Sequence, residues 1–364
     1  MKICLIGNNL TSLILANILS KKNFFVEIYS SNRKNFKYKT RTLGITQFNL
    51  NYLIRYYKNL NVKAQNINEI KVQVQNKKKN DELIFNQNKS TLFYMIEYEK
   101  LFLDLKKKIK KNKKIFIKYF KDKKKLTSLL NTDKYQLVIN CDRSNILNKK
   151  FLKDAICKDY KNKAFTTIID HTKIKNNKAF QTFTKYGPIA FLPLSSSRTS
   201  VVFSLELKTL KNINDKSLIK IINQFNPCYK ILSFKDFESF NLKMQMPKKY
   251  FYKNILFFGD ALHTVHPLAG QGFNMSIRDI IHLIEIIDYK MNLGLNIDES
   301  IYSEFEKKAK SFNVLFSYGL DFIYEFVRFN RKMPENISKN IFSLINNSNK
   351  IKEFGIKLAN RGNL

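Results

Sequence analysis

Between Asn254 and Asp279 the chain reads as a strand that stops at an acid and a helix that starts at glycines. Asn254-Ile255-Leu256-Phe257-Phe258 is a short apolar run of strand type, and Ile277 onward has helical periodicity. The joining segment begins Gly259-Asp260-Ala261-Leu262-His263 and continues through His266-Pro267 to Gly270-Gln271-Gly272-Phe273-Asn274. A carboxylate at the end of a strand can hold a sugar-type hydroxyl. Glycines at 270 and 272 let backbone N–H groups approach a ligand at the positive end of the following helix. His263 and His266 form an H-x-x-H pair, for which three readings stay open. A metal site lacks third and fourth ligands by any spacing in the chain. Structural hydrogen bonding within the loop is the second reading, and a direct acid–base role is the third.

The N-terminus is a second constraint on the fold. Ile3-Cys4-Leu5-Ile6 is a buried-type strand, Leu10 to Leu19 have helical spacing, and Phe25-Val26-Glu27-Ile28-Tyr29 is another strand. This is the βαβ start of a dinucleotide-binding sheet. Its G-x-G-x-x-G turn is worn to Gly7-Asn8-Asn9-Leu10-Thr11-Ser12, in which only Gly7 persists. The acid expected at the end of the second strand, for the adenosine ribose, falls on Ser30. Asn and Ser tolerate unusual backbone angles, so the turn can still be built. Nucleotide binding and an ordinary βαβ unit both fit this segment alone.

Arg41-Thr42-Leu43-Gly44-Ile45 precedes a helical stretch from Asn49 to Tyr57. Strand-like runs follow at Ile70–Val74, Glu82–Phe85 and Thr91–Ile96, around a lysine-rich tip at Asn76–Asn80. A helix from about Glu99 carries Leu101, Leu105 and Ile109 on one face. Further strands are read at Ile115–Ile117, Leu137–Asp142, Ala164–Ile169, Ala179–Phe183, Pro188–Leu194 and Thr199–Leu207. After Asp279 the pattern is helical to the end, with stripes such as Ile280, Ile284 and Ile287 that read as core.

Composition removes several classes. At 364 residues and 44% hydrophobic content, the chain can bury a large core in one sizeable or two coupled domains. No stretch approaches the roughly 18 apolar residues of a spanning helix. The apolar run after Lys2 is broken by Gly7-Asn8-Asn9, too early for a signal peptide. The expected location is cytoplasmic, at most peripheral on the inner face of a membrane. Cys4, Cys141, Cys157 and Cys228 show no paired spacing, so no disulfide framework or zinc site is suggested. The formal charge of +36 comes from lysines spread over the whole length, accompanied by abundant Asn, Ile and Phe and no Trp. Compositional drift explains this, and attraction to an anionic membrane is the second reading. No zinc-finger, RNP-type or basic-zipper pattern supports nucleic acid.

Residues 259–279 closely resemble the second flavin-contacting motif of the group A FAD-dependent aromatic monooxygenases, with Ser276 standing where the family usually has glycine. The run Phe180 to Leu194, with Tyr186-Gly187-Pro188-Ile189-Ala190-Phe191-Leu192-Pro193-Leu194, resembles the substrate-domain sheet of the ubiquinone-biosynthesis hydroxylases. Arg41 to Ile45 is similar to their R-x-x-x-L stretch, and Leu137 to Arg143 to their A-D-G motif, keeping Asp142. The resemblance implies an α/β fold, with a Rossmann-like FAD-binding domain, an inserted antiparallel-sheet substrate domain and C-terminal helices. It divides the chain into FAD-binding segments 1–66, 98–155 and 246–300, a substrate sheet at 67–97 and 156–245, and a helical region at 301–364.

The activity implied is hydroxylation of a prenylated phenol, a quinone precursor, by O2 through a flavin C4a-hydroperoxide, with NAD(P)H as reductant. The cofactor residues implied are Gly7, Asn9, Ser12, Ser30, Arg41, Asp142, Gly259, Asp260, Pro267, Gly270, Gln271, Gly272 and Asn274, with His263, His266 and Pro267 flanking the flavin. Asp260 would bind a ribityl hydroxyl, and Asn274 would cap the following helix or contact the ring edge. No residue is singled out as a catalyst, and no metal is implied. Asn9, Ser12, Ser30, Glu99 and Arg143 all depart from the family pattern. They keep open an alternative: a weakly or non-flavin-binding homologue serving as a non-catalytic subunit of a quinone-biosynthesis complex. An FAD enzyme of the same fold doing reduction is the third reading.

Overall fold

The computed structural model describes residues 1–30, 39–57, 63–75, 81–86, 91–120, 126, 134–151, 154–207, 213–265, 271–330 and 348. Near-continuous apolar runs become the strands of a parallel sheet buried on both faces, as such runs must. Strand β1 is Lys2–Ile6, β2 is Phe25–Ser30, and helix α1 (Leu10–Lys21) crosses between them. Ile3, Cys4 and Leu5 have no exposed surface, and α1 is buried from Leu10 to Ser20. Each such aliphatic side chain contributes about 1.5–3 kcal/mol relative to exposure.

The chain next forms β3 (Thr42–Thr46), α2 (Gln47–Tyr56), β4 (Gln65–Ile67), β5 (Glu69–Val74), β6 (Asp81–Asn86), β7 (Phe93–Glu97) and α3 (Tyr98–Lys110). Then come β8 (Ile115–Tyr119), β9 (Leu137–Asn140) and the short α4 (Ile146–Phe151). The lysine-rich tip at 76–80 lies outside the described residues. A long meander follows: β10 (Ala155–His171), β11 (Lys178–Thr184), β12 (Gly187–Ser195), β13 (Arg198–Glu206), α5 (Asp215–Gln224), β14 (Ile231–Phe234) and β15 (Glu238–Pro247). Strands β16 (Phe251–Tyr252) and β17 (Ile255–Phe257) lead to the helices α6 (Gln271–Asn292) and α7 (Ser300–Asn330).

Three sheets result. The first runs β16-β17-β9-β1-β2-β8, parallel from β17 to β8. The second runs β14-β10-β13-β12-β11-β5-β6, with β15 also paired to β10. The third, β3-β7-β4, is antiparallel. Strand β10, 17 residues long, is the spine of the second sheet, pairing with β15 along one edge and β13 along the other. The helical stretch read after Asp279 is broken at 293–299, where Gly294 takes φ +67 and ends α6. Neither α5 nor β15 is anticipated from the sequence.

In the parallel sheet, β1 is flanked by β2 on one side and β9 on the other. The chain therefore reverses its winding direction at β1, and the crevice outside the carboxyl ends of β1 and β9 is where such sheets take ligands. Gly7, Asp142 and Gly259 each follow directly from that edge.

Candidate cofactor site

Gly7 leaves β1 with φ +115, and a Cβ there would come 2.9 Å from the Cβ of Asp142. Only glycine allows the two turns to touch so closely. Asn9 caps α1: its Oδ1 accepts from the Ser12 N–H at 3.0 Å, and Ser12 Oγ accepts from the Asn9 N–H at 3.1 Å. This reciprocal box uses two of the N–H groups that a helix start leaves free. The Asn9 amide nitrogen also donates to the Cys141 carbonyl at 2.6 Å, stitching α1 to the turn after β9. Ser30 is buried at the end of β2, and its carbonyl accepts from the Phe120 N–H. Asp142 Oδ1 accepts from the backbone and hydroxyl of Ser144, which shapes the turn that presents Arg143. Burial pushes the Cys4 and Cys141 thiols well above the ordinary range, leaving neither as a nucleophile.

The second motif is built differently. Gly259 holds φ +57, and a Cβ would lie 2.7 Å from the Thr11 methyl and 3.3 Å from Ser276 Oγ, so α1 and α6 both close on it. Asp260 follows, half-buried, with no ion pair to any described residue. His263 is turned inward. Its Nε2 meets Asp279 Oδ2 at 2.6 Å, while Asp279 Oδ1 accepts from Asn313 at 3.0 Å, all three side chains being buried. This pair clamps the loop to α6 and α7, which is the structural role among the readings of this histidine. Asn274 is spent on the neighbouring elements: its amide donates to the Gly44 carbonyl at 2.9 Å, and its Oδ1 accepts from the Thr46 N–H at 3.1 Å and from Asn49 at 2.9 Å. Gln271 and Gly272 open α6. His266, Pro267 and Gly270 lie outside the described residues.

A cavity of about 460 Å³ lies where the three sheets meet. Asp260, Gly272 and Arg143 line it from the parallel-sheet segments and Arg41 from just ahead of β3, and Phe93, Met95, Leu192, Val202, Leu242 and Val265 supply an apolar wall. The Arg41 guanidinium stacks 4.7 Å from the ring centroid of Tyr98. Arg143 donates to Thr264 Oγ1, and to Gln245 Oε1 at 2.6 Å. Burial holds its pKa below the usual guanidinium value, opposed by the nearby Asp260 carboxylate. Sequence reading marks Arg143 only as a departure from glycine and gives no signal for Gln245, which arrives from an unanticipated strand. Arg278 lies sandwiched between Phe312 and Phe316, 4.6 and 4.5 Å from the ring centroids, with no hydrogen-bond partner among the described residues.

A family model described as FAD binding domain matches residues 159–292. The ubiquinone biosynthesis monooxygenase COQ6 of Dictyostelium discoideum is 25% identical over 274 residues, covering 62% of this chain and 55% of that protein. The 3-demethoxyubiquinol 3-hydroxylase of Escherichia coli is 28% identical over 153 residues, covering 41% of this chain and 39% of that protein. Over these stretches the chain is similar in sequence to ubiquinone-biosynthesis FAD monooxygenases. The matches span about half the length of the first of these proteins and less of the second. In fold it is similar to p-nitrophenol 4-monooxygenase of Pseudomonas putida, with TM-score 0.75 at 12% identity over 99% of this chain and 98% of that one. It is similar too to Klebsiella pneumoniae HpxO complexed with FAD and uric acid, with TM-score 0.74 at 10% identity over 99% and 97%.

The residues present fit FAD. A carboxylate at a strand end without an ion pair among the described residues, a helix opening at Gln271-Gly272 and two arginines on one cavity are chemically suited to hydroxyls and to anionic groups such as FAD carries.

Proposed function

We propose that this chain is an FAD-dependent monooxygenase that hydroxylates the aromatic ring of a prenylated phenol in ubiquinone biosynthesis, with NAD(P)H as reductant. The observation that carries the reading is a cavity on which the second motif, through Asp260 and Gly272, meets Arg143 and an apolar wall. When bound, FAD supplies the two-electron and dioxygen chemistry. The chain's own work is to bind and to orient. Asp260 would hold a ribityl hydroxyl, and the N–H groups opening α6 would stabilise negative charge on the bound flavin with the help of the helix dipole. Phe93, Met95, Leu192 and Val202 exclude water and accept an apolar substrate.

We also read this chain as touching a membrane surface, where a prenylated substrate resides. Leu315, Tyr318, Phe322 and Phe329 are exposed along one side of α7, and the chain carries +36 net charge. No helix among the described residues is long and apolar enough to cross a membrane.

The test is the visible spectrum of the purified protein after FAD is added and the excess removed, followed by turnover of prenylated phenols under 18O2. Near-stoichiometric flavin and labelled product support the reading. A colourless protein that cannot be reconstituted overturns it in favour of a non-catalytic subunit, and unlabelled product overturns hydroxylation.

A further inference from the structure

We propose that Arg143 is the residue by which this chain grips the pyrophosphate of FAD, replacing donors that the worn N-terminal turn no longer offers. The proposal rests on the reading of the cavity as a flavin site.

Three observations carry it. The first is place. The chain at 141–143 abuts the fingerprint turn, since Cys141 accepts the Asn9 amide and Gly7 has no room for a Cβ beside Asp142. The Arg143 side chain then reaches Thr264 and Gln245, and it lines the same cavity as Asp260. It thus spans the interval between the first motif and the second, which a dinucleotide must also bridge. The second is charge. Both acceptors of this guanidinium are neutral, and no carboxylate among the described residues lies within ion-pair distance of it, the Asp260 carboxylate sharing the cavity without pairing. A guanidinium carries five N–H donors in a planar fork suited to phosphate oxygens, so the two hydrogen bonds leave capacity for an anion. The third is deficit. An intact fingerprint offers helix N–H groups to the phosphates, but here the Ser12 N–H is taken by Asn9 and the Asn9 N–H by Ser12. The family's glycine at 143 can supply no charge. The arginine appears in the same chain that has lost the glycines.

The experiment compares FAD with riboflavin, which has the isoalloxazine and ribityl chain but no phosphate. Flavin affinities are measured by fluorescence quenching on the full apoprotein, on Arg143→Gly and on Arg143→Gln. Both variants are expected to bind FAD roughly ten- to hundredfold more weakly, the range for losing a charge-assisted hydrogen bond. Riboflavin affinity should stay within about twofold, which also shows that the site still folds. FAD affinity that is unchanged, or higher because a strut has been removed, overturns the proposal. It is equally overturned if FAD affinity holds and only the rate of flavin reduction by NADPH falls, which would assign Arg143 to the reductant. A wild-type chain that binds neither FAD nor riboflavin instead sinks the underlying flavin reading.

Discussion

At Gly7–Ser12 the chain answers its own helix terminus, whereas at Gly259–Asp279 it leaves a carboxylate and a helix start facing a cavity. Both turns stand at the carboxyl edge of one parallel sheet and both depend on a glycine with positive φ. The difference lies in where the polar groups are spent. The first turn closes on itself through Asn9 and Ser12. The second turns its buried pair, His263 and Asp279, inward as a clamp and its remaining acid outward. Geometry and ligand contact are therefore separable: the first motif keeps the turn after surrendering donors, and the second keeps both.

The contrast can be broken most sharply at Asp260. Asp260→Ala is expected to empty the flavin site, and full flavin absorbance in that variant would contradict the assigned role. His263→Ala leaves the Asp279 carboxylate buried without its imidazole and should cost about 3–5 kcal/mol in urea unfolding. A loss within the error of the measurement would show that the clamp is idle. At Gly259, alanine must adopt φ +57 and push aside the Thr11 methyl; a loss of about 1–3 kcal/mol is expected from thermal unfolding. Asn9→Gly restores the fingerprint glycine. It should lower stability by about 1 kcal/mol, since the bond to the Cys141 carbonyl goes with the cap, while tightening FAD binding because the Ser12 N–H is released. Weaker FAD binding in this variant would mean that the amide itself serves the cofactor.

A pH effect is expected at β2, beside the first region. Burial of the Glu27 carboxylate on β2 would raise its pKa, but hydrogen bonds from Lys118 and Tyr135 outweigh it and bring the value to about 2, from an ordinary 4.5. A lowered carboxylate pKa contributes stability that is present above 4.5 and lost as pH falls towards 2. Glu27→Gln should flatten acid unfolding across that window; an unchanged acid limb would place the sensitivity elsewhere.

Much of this architecture was legible because a parallel sheet buried on both faces leaves uninterrupted apolar runs, as at Ile3–Ile6 and Leu137–Ile139. Strand β15 hid behind its asparagine, lysine and glutamine, although Leu242, Met244 and Met246 alternate inward and could have been read by period two. Helix α5 buries only Leu218 and Ile222, too few positions to stand out. In the site, glycines and the strand-end acid were readable since each is demanded by local backbone or ligand geometry. Pairings were not: nothing in the spacing of His263 and Asp279, or of Arg143 and Gln245, says that they meet, because the contacts depend on how separate elements converge.

The Asn9 cap also bears on the order of events when the protein is made. A helix start that must wait for phosphate is incomplete until the cofactor arrives, but here α1 is finished by its own amide. The sheet and its first crossover can consequently mature in a cell short of flavin. Loading then becomes a late step, and FAD adds stability only by mass action as its concentration exceeds its dissociation constant.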